Sequence, residues 1–271
     1  MNDSKSKDLE RYFAKPDIHK QWVDNYYAEN ETFYEQAFDY IISVLKAPKN
    51  SIFLDAGCGN CAHSIRLANR GFFVQAIDFS EAVLKMAREN VNAKGLEGKI
   101  SIKRGDILAL PFENETFNYI LCWGVLMHIP DLEKAIAELS RVLKLKGILV
   151  ISEVNMYSPR YIIQRNLKRF LWKKEVYIKK TSAGFEYWNI SSNGALMKRH
   201  ANIHWLIERF KSNGFVVKKH VAGQFTEEYT RVSSRLLRNL IHGFNNFWFR
   251  YIKIPYFAVG NIIILQKEKC N

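Results

Sequence analysis

The sequence predicts an α/β protein organised on a doubly wound parallel sheet. Three observations carry this. Between residues 51 and 153, short apolar runs of strand length alternate with amphipathic segments of helix length, the pattern of parallel strands joined by helical crossovers. The first run, Phe53-Leu-Asp-Ala-Gly-Cys-Gly, ends in a glycine turn that opens a helix. An acidic or aromatic residue, Asp55, Asp78, Asp106 or Trp123, closes or directly follows four of the runs. Right-handed crossovers place helices on both faces. Ligands of such sheets bind beyond the carboxyl ends of the strands, where strand order reverses.

Each element follows from local chemistry. Residues 1–10 read as a polar lead, and Leu9–Lys46 as a helical stretch rich in Tyr, Phe and Trp, stopped by Pro48. Ser51–Asp55 is the first strand. Gly57 and Gly59 permit a tight turn and close approach of a ligand, and the turn is expected to offer amide donors. Ser64–Arg70 is a helix closed by Gly71, and Phe72–Ile77 a strand ending at Asp78. Ser80 caps a helix running to Ala93. Ile100–Arg104 and Phe117–Cys122 are strands, Leu132–Leu143 a helix, and Ile148–Glu153 the fifth strand. Asp78 lies 19 residues beyond Gly59, the offset at which a carboxylate accepts from ribose hydroxyls.

Charge divides the chain. The net charge is +13, yet residues 1–155 hold 19 Lys/Arg against 21 Asp/Glu, while residues 156–271 hold 21 against 6. The basic half fits an anionic partner or a lysine-rich surface. The four cysteines stand at 58, 61, 122 and 270. Cys58 and Cys61 form C-x-x-C, but with no second close pair they read as small residues of the turn, and no metal site is expected. No apolar run reaches the roughly 20 residues of a spanning helix, and no signal-peptide core is present, so a cytoplasmic location is expected.

Five ordered segments resemble the class I S-adenosylmethionine-dependent methyltransferases of the type 11-like group. They are Leu54-Asp-Ala-Gly-Cys-Gly, Ala76-Ile-Asp-Phe-Ser, Gly105-Asp-Ile-Leu-Ala-Leu-Pro-Phe, Phe117-Asn-Tyr-Ile-Leu-Cys-Trp-Gly-Val-Leu-Met-His-Ile-Pro and Leu145-Lys-Gly-Ile-Leu-Val-Ile-Ser. The resemblance implies a Rossmann-like, seven-stranded, mostly parallel sheet, with S-adenosyl-L-methionine as cofactor. It implies that the Ala56, Gly57, Cys58 and Gly59 backbone cradles the methionine portion and that Asp55 meets the amino group. Asp78 would hold the ribose and Phe79 would flank the adenine. Asp106 would accept from the adenine amino group with Ile107 beside the ring, and Trp123 and Gly124 would line the methyl side. These elements suit one adenosine with a compact charged tail better than a dinucleotide. The family usually has a third glycine where this chain has Cys61, and an adjusted helix start is expected there.

The resemblance also divides the chain: residues 1–45 as an N-terminal aromatic cap, 46–155 as the cofactor-binding core, 156–201 as a basic lid insertion, and 202–271 as the rest of the core with a helical insertion at 223–256. In the first insertion, Tyr161–Lys174 reads as an amphipathic helix and Thr181–Arg199 as an aromatic loop. In the second, Arg231–Arg250 carries Val232, Leu236, Leu237, Leu240, Ile241, Phe244, Phe247 and Trp248 on one helical face, with Arg231, Arg235 and Arg238 largely off it. That face fits a lid helix packed on the core; it also fits a membrane-surface or acyl-substrate helix. His128 and Glu153 are the favoured general bases, with His200 and His204 as others. Tyr27, Trp188, Arg199 and His204 are candidates for acceptor binding. The expected acceptor is a small molecule, lipid-like compound or glycan; an RNA substrate or a non-catalytic cofactor-binding role are the alternatives.

Overall fold

The computed structural model describes residues 30–171, 177–191 and 194–269. Along the chain, α1 (Glu31–Leu45) leads into β1 (Ile52–Ala56), α2 (Ala62–Asn69), β2 (Phe73–Asp78), α3 (Glu81–Ala93), β3 (Ile100–Arg104) and β4 (Phe117–Trp123). A 3-10 turn (Leu126–His128) precedes α4 (Leu132–Val142) and β5 (Leu143–Val154). The first insertion supplies α5 (Pro159–Leu171), β6 (Tyr177–Thr181), β7 (Gly184–Ser191) and β8 (Gly194–Ala201). Then come α6 (Ile203–Ser212), β9 (Phe215–Ala222), a 3-10 turn (Glu228–Arg231), α7 (Arg235–Phe247), a wide turn (Trp248–Ile252) and β10 (Gly260–Lys267).

The main sheet has seven strands in the order β3-β2-β1-β4-β5-β10-β9. The pairs from β3 to β5 are parallel, and β10 runs antiparallel to both its neighbours. Order reverses between β1 and β4, which is the switch point that a doubly wound sheet uses for ligands. Both faces are covered, so strands carry near-continuous apolar runs. On β1, Phe53 faces one core and Leu54 the other; Ile262 and Ile264 of β10 oppose Ile263 and Leu265 in the same way. One face packs α4 and α6, and the other packs α1, α2 and α3.

The N-terminal helix is tied to the helix of the glycine turn. Arg66 of α2 pairs with Glu31 and Glu35, and Arg70 with Glu35 and Asp39. The Arg66 guanidinium also lies over the Tyr34 ring, 4.9 Å from its centroid. Tyr27 lies outside the described residues.

Three expectations change. Residues 181–199 are not a loop: they supply most of a three-stranded antiparallel sheet, β6-β7-β8. Its inward positions are Glu186, Trp188, Met197 and Arg199, all buried. Two charged side chains among four inward positions erase the apolar alternation by which a strand is recognised. The lid insertions are therefore not helical throughout. Strand five begins at Leu143 rather than 148, directly on the end of α4, and bends where Lys146 adopts φ 63°. Finally, α7 turns much of its apolar face outward, while Ile241 and Trp248 of that face are half-buried. Leu236, Leu237, Leu240, Phe244 and Phe247 are exposed, and Asn245 is the helix's buried residue.

Candidate active site

The carboxyl edge of the sheet sets Asp78, Asp55, Trp123 and Glu153 on adjacent strands β2, β1, β4 and β5, with Asp106 just beyond the end of β3. The glycine turn is braced from β2. The Gly57 and Cys58 amides both donate to the Ile77 carbonyl, at 2.9 and 2.8 Å. Gly59 N donates to Asp78 Oδ2 (3.0 Å), while Asp78 Oδ1 accepts from Ser80 N (3.0 Å). The expected row of amide donors is thus largely engaged within the protein. What the turn offers a ligand is shape and carboxylate.

That shape is specific. Gly57 has φ 86°, and a Cβ there would stand 2.5 Å from a Val125 methyl. Gly59 (φ 54°) and Gly124 (φ 67°) face open space instead, with nothing within 4 Å of a built Cβ. These two positions lie in the turns that follow β1 and β4. Cys61 keeps the left-handed conformation, φ 63°, as the cap of α2. The helix start is not adjusted: the cysteine accepts a strain of about 1 kcal/mol, and burial of its side chain in the core offsets it.

Asp55 is buried, and its Oδ2 accepts from Ser64 Oγ at 2.5 Å. Burial raises its pKa to about 7, the Asp78 charge adds to the rise, and Ser64 opposes it. Such a group is poised to ionise when a cation arrives. The Cys58 thiol is pushed up by its hydrogen bond to Cys61 and by burial, so it stays protonated. That is the reverse of a reactive cysteine.

Asp106 is exposed and its Oδ1 caps the Leu108 amide at 2.9 Å; Ile107 beside it is buried. Phe79 is half-buried, its carbonyl held by Arg104 Nε at 3.1 Å. The Trp123 ring sits in an aromatic box with Tyr34, Phe38 and His63, at centroid distances of 6.1, 5.6 and 5.0 Å. His63 went unrecognised in the sequence because a histidine in a helix carries no signal of its own. Burial, with Arg66 beside it, keeps this imidazole neutral. It links the N-terminal helix to the end of β4.

His128 and Glu153 both face protein backbone. Nδ1 of His128 donates to the Met197 carbonyl (2.8 Å), and burial lowers its pKa to about 4. Glu153 is buried; its Oε1 accepts from the Leu126 amide at 3.1 Å. Burial raises its pKa to about 8, against the pull of Arg199 and the Leu126 and Met127 amides. Arg199 is 2% exposed and donates to the Leu126 and Ile129 carbonyls at 3.2 and 2.8 Å, and to Glu186 at 2.9 Å. Trp188 is buried and donates to Glu186 Oε2 (3.3 Å). These residues clamp the second sheet onto the 126–130 segment. His200 is buried between Tyr161 and Tyr187, at ring distances of 3.7 and 4.4 Å. His204 is exposed on α6, apart from the others.

A switch-point turn with open space over two glycines, beside two carboxylates and an indole, could hold a nucleotide-type cofactor on this Rossmann-like fold. The family model described as "Methyltransferase domain" matches residues 47–219, and the chain belongs to that family. It therefore carries an S-adenosylmethionine-dependent methyltransferase domain. The chain is 33% identical over 115 residues to a demethylmenaquinone methyltransferase of Bacillus cytotoxicus, covering 41% of this chain and 48% of that one. It is 28% identical over 167 residues to a ubiquinone biosynthesis O-methyltransferase of Rickettsia canadensis, covering 55% and 70%. The chain spans about half the length of the first curated relatives it matches. Among solved structures, a protein of Pyrococcus horikoshii OT3 superposes with a TM-score of 0.62 at 17% identity, over 91% of this chain and 94% of that one. That likeness speaks for the fold.

Proposed function

We propose that this protein transfers a methyl group from S-adenosylmethionine to a small, lipid-like acceptor. The observation that carries the reading is the arrangement of Asp55, Gly59, Asp78, Trp123 and Gly124 around the switch-point gap. The cofactor supplies an activated methyl carbon on a sulfonium. The chain's part is to hold and orient: Asp55 receives the amino group, Asp78 the ribose hydroxyls, and Asp106 with Phe79 and Ile107 the adenine. Ala56–Gly59 follows the methionine chain by shape. Gly124 leaves space beside the reacting centre, and the aromatic box fixes Trp123 next to it. Orientation is then the main source of acceleration.

His128 and Glu153 contribute by position. Each holds one side of the 126–130 segment, which follows Trp123 and Gly124. A proton lost by the acceptor passes to solvent or to the acceptor's own neighbours. Support for an apolar ring acceptor comes from the relatives named for menaquinone and ubiquinone synthesis. The division into cap, core and two insertions is part of the same reading, with the insertions closing over the acceptor side.

Calorimetry with S-adenosylhomocysteine tests the site: wild type binds, and Asp78→Ala weakens binding at least tenfold. Incubation with methyl-labelled cofactor and cell extract tests the acceptor class. Label is expected in the organic-solvent fraction; label confined to RNA would sink the small-molecule reading.

A further inference from the structure

We propose that the outward face of α7 docks on an anionic lipid bilayer. The helix is built inside out. Leu237, Leu240, Phe244, Phe247 and Tyr251 recur at intervals of three and four, and are between 42 and 66% exposed. The opposite face is polar and turned to the protein. The Asn245 side chain exchanges two hydrogen bonds with the Thr226 backbone, at 3.0 and 2.9 Å, and the His242 ring lies 4.7 Å from Tyr229. A helix that spends its polar side on the interior and its leucines on the outside has a second apolar phase as its proper environment.

The apolar surface continues past the helix. Ile254, Tyr256 and Phe257 are exposed. Asn155 donates to the Tyr256 carbonyl and holds the Tyr157 amide, which brings the exposed Tyr157 alongside. Arg160 pairs with Glu227 and Glu228, joining α5 and its exposed Ile162 and Ile163 to the same region.

Charge decides the occupant. From Tyr229 to Gln266 the chain holds five Arg/Lys and no Asp or Glu. Arg231 and Arg235 are exposed at the start of the helix, off the stripe, and Arg250 is exposed just past its end. A second copy of this face would oppose arginine to arginine. RNA would satisfy the arginines and leave the leucines in water. An anionic bilayer satisfies both, with headgroups at the rim and acyl chains under the stripe. Among the described residues no helix is long and apolar enough to cross a membrane, so the helix lies in the interface plane. A run of ring contacts joins this surface to the proposed cofactor site. Phe249 of the wide turn meets Phe33 of α1 at 5.3 Å; Phe33 meets Tyr34 at 5.4 Å, and Tyr34 belongs to the Trp123 box.

Flotation of the full chain with vesicles provides the test. Wild type should rise with vesicles of phosphatidylcholine mixed with phosphatidylglycerol, and less so as salt increases. Leu237→Glu with Phe244→Glu should lower the bound fraction at least about tenfold. Arg231→Gln, Arg235→Gln and Arg250→Gln together should lower it on the order of a hundredfold. Both variants should keep the wild-type near- and far-UV circular dichroism and urea midpoint, which shows that they fold. Flotation needs no cofactor, so failure of the methyl-transfer reading would leave this result standing. Absence of wild-type flotation overturns the proposal, as does equal flotation of the Glu pair. A wild-type dimer that the Glu pair dissociates, without flotation of either, would assign the face to self-association instead.

Discussion

Gly57 and Gly59 are two residues apart in one turn and serve different ends. At Gly57 a methyl group meets the branched Val125 side chain at 2.5 Å. Gly57→Ala is therefore expected to lose about 2 kcal/mol or more of stability, read from the urea midpoint, through overpacking and a disfavoured φ. At Gly59 a methyl group meets nothing. Gly59→Ala should cost only about 1 kcal/mol of stability while weakening S-adenosylhomocysteine binding at least tenfold, since the new Cβ enters the ligand's space. A stable variant with unchanged binding would place the ligand elsewhere. Asp55 adds a pH signature. With its pKa at about 7 in the free protein, only the ionised form attracts an amino cation. Affinity should rise with pH and level off above 7, falling by up to about tenfold per unit below it. Asp55→Asn should flatten that profile in calorimetric titrations.

At the scale of elements, one arginine carries most of the side-chain bonds between the second sheet and the 126–130 segment. Arg199 joins β8 to the carbonyls of the 126–130 segment and to Glu186 on β7. Removing it strands a buried carboxylate and bare carbonyls. Arg199→Met is expected to cost about 3–5 kcal/mol, and hydrogen exchange should rise in β6–β8 and in the turn at Leu126–His128 together. Exchange confined to β8 would refute the clamp. This junction is also where sequence reasoning stopped. The core strands were legible because Phe53, Leu54, Ile120, Leu121, Val150 and Ile151 announce their own burial, and the glycine turn and its aspartates stand at fixed offsets. Glu186 and Arg199 look like surface residues, and only their mutual contact makes them interior ones. The amphipathic pattern of α7 was equally visible. A pattern tells which residues share a face, not which way the face points, and Asn245 settled that through its bonds to the Thr226 backbone. Likewise the glycine turn could be read as flexible backbone, but the spending of its amides on Ile77 and Asp78 could not.

For the whole molecule, buried ionisable groups set the dependence of stability on pH, and they act in opposite directions. His63, His128 and His220 have pKa values lowered by burial. The native state then binds fewer protons than the unfolded chain below about pH 6.5, so these groups make stability rise with pH up to that point. Asp55 and Glu153 have raised values of about 7 and 8. The native state retains protons that the unfolded chain sheds above about pH 4, so they make stability fall with pH until about 8. Below about pH 6.5 the two sets oppose each other; above it the carboxylates dominate. Urea midpoints should therefore decline from about pH 6.5 toward pH 8. Glu153→Gln should remove much of that decline, and an unchanged decline would mean that Glu153 is ionised at no cost.

One consequence of the strand order concerns how the molecule is made. β10 lies between β5 and β9, and pairs with both along its length. Until residues 260–267 emerge during synthesis, β5 is a bare edge and β9 has no partner at all. The five strands β3-β2-β1-β4-β5 can assemble early from near-neighbour contacts, whereas β9 and α6 must wait for a late segment to thread between. Such a gap favours slow completion and a transient sticky edge. The rate of refolding should accordingly be governed by the β5–β10–β9 closure rather than by the cofactor-binding half. A nascent chain stalled before Gly260 would carry the glycine turn in place while its sheet remained open on one side.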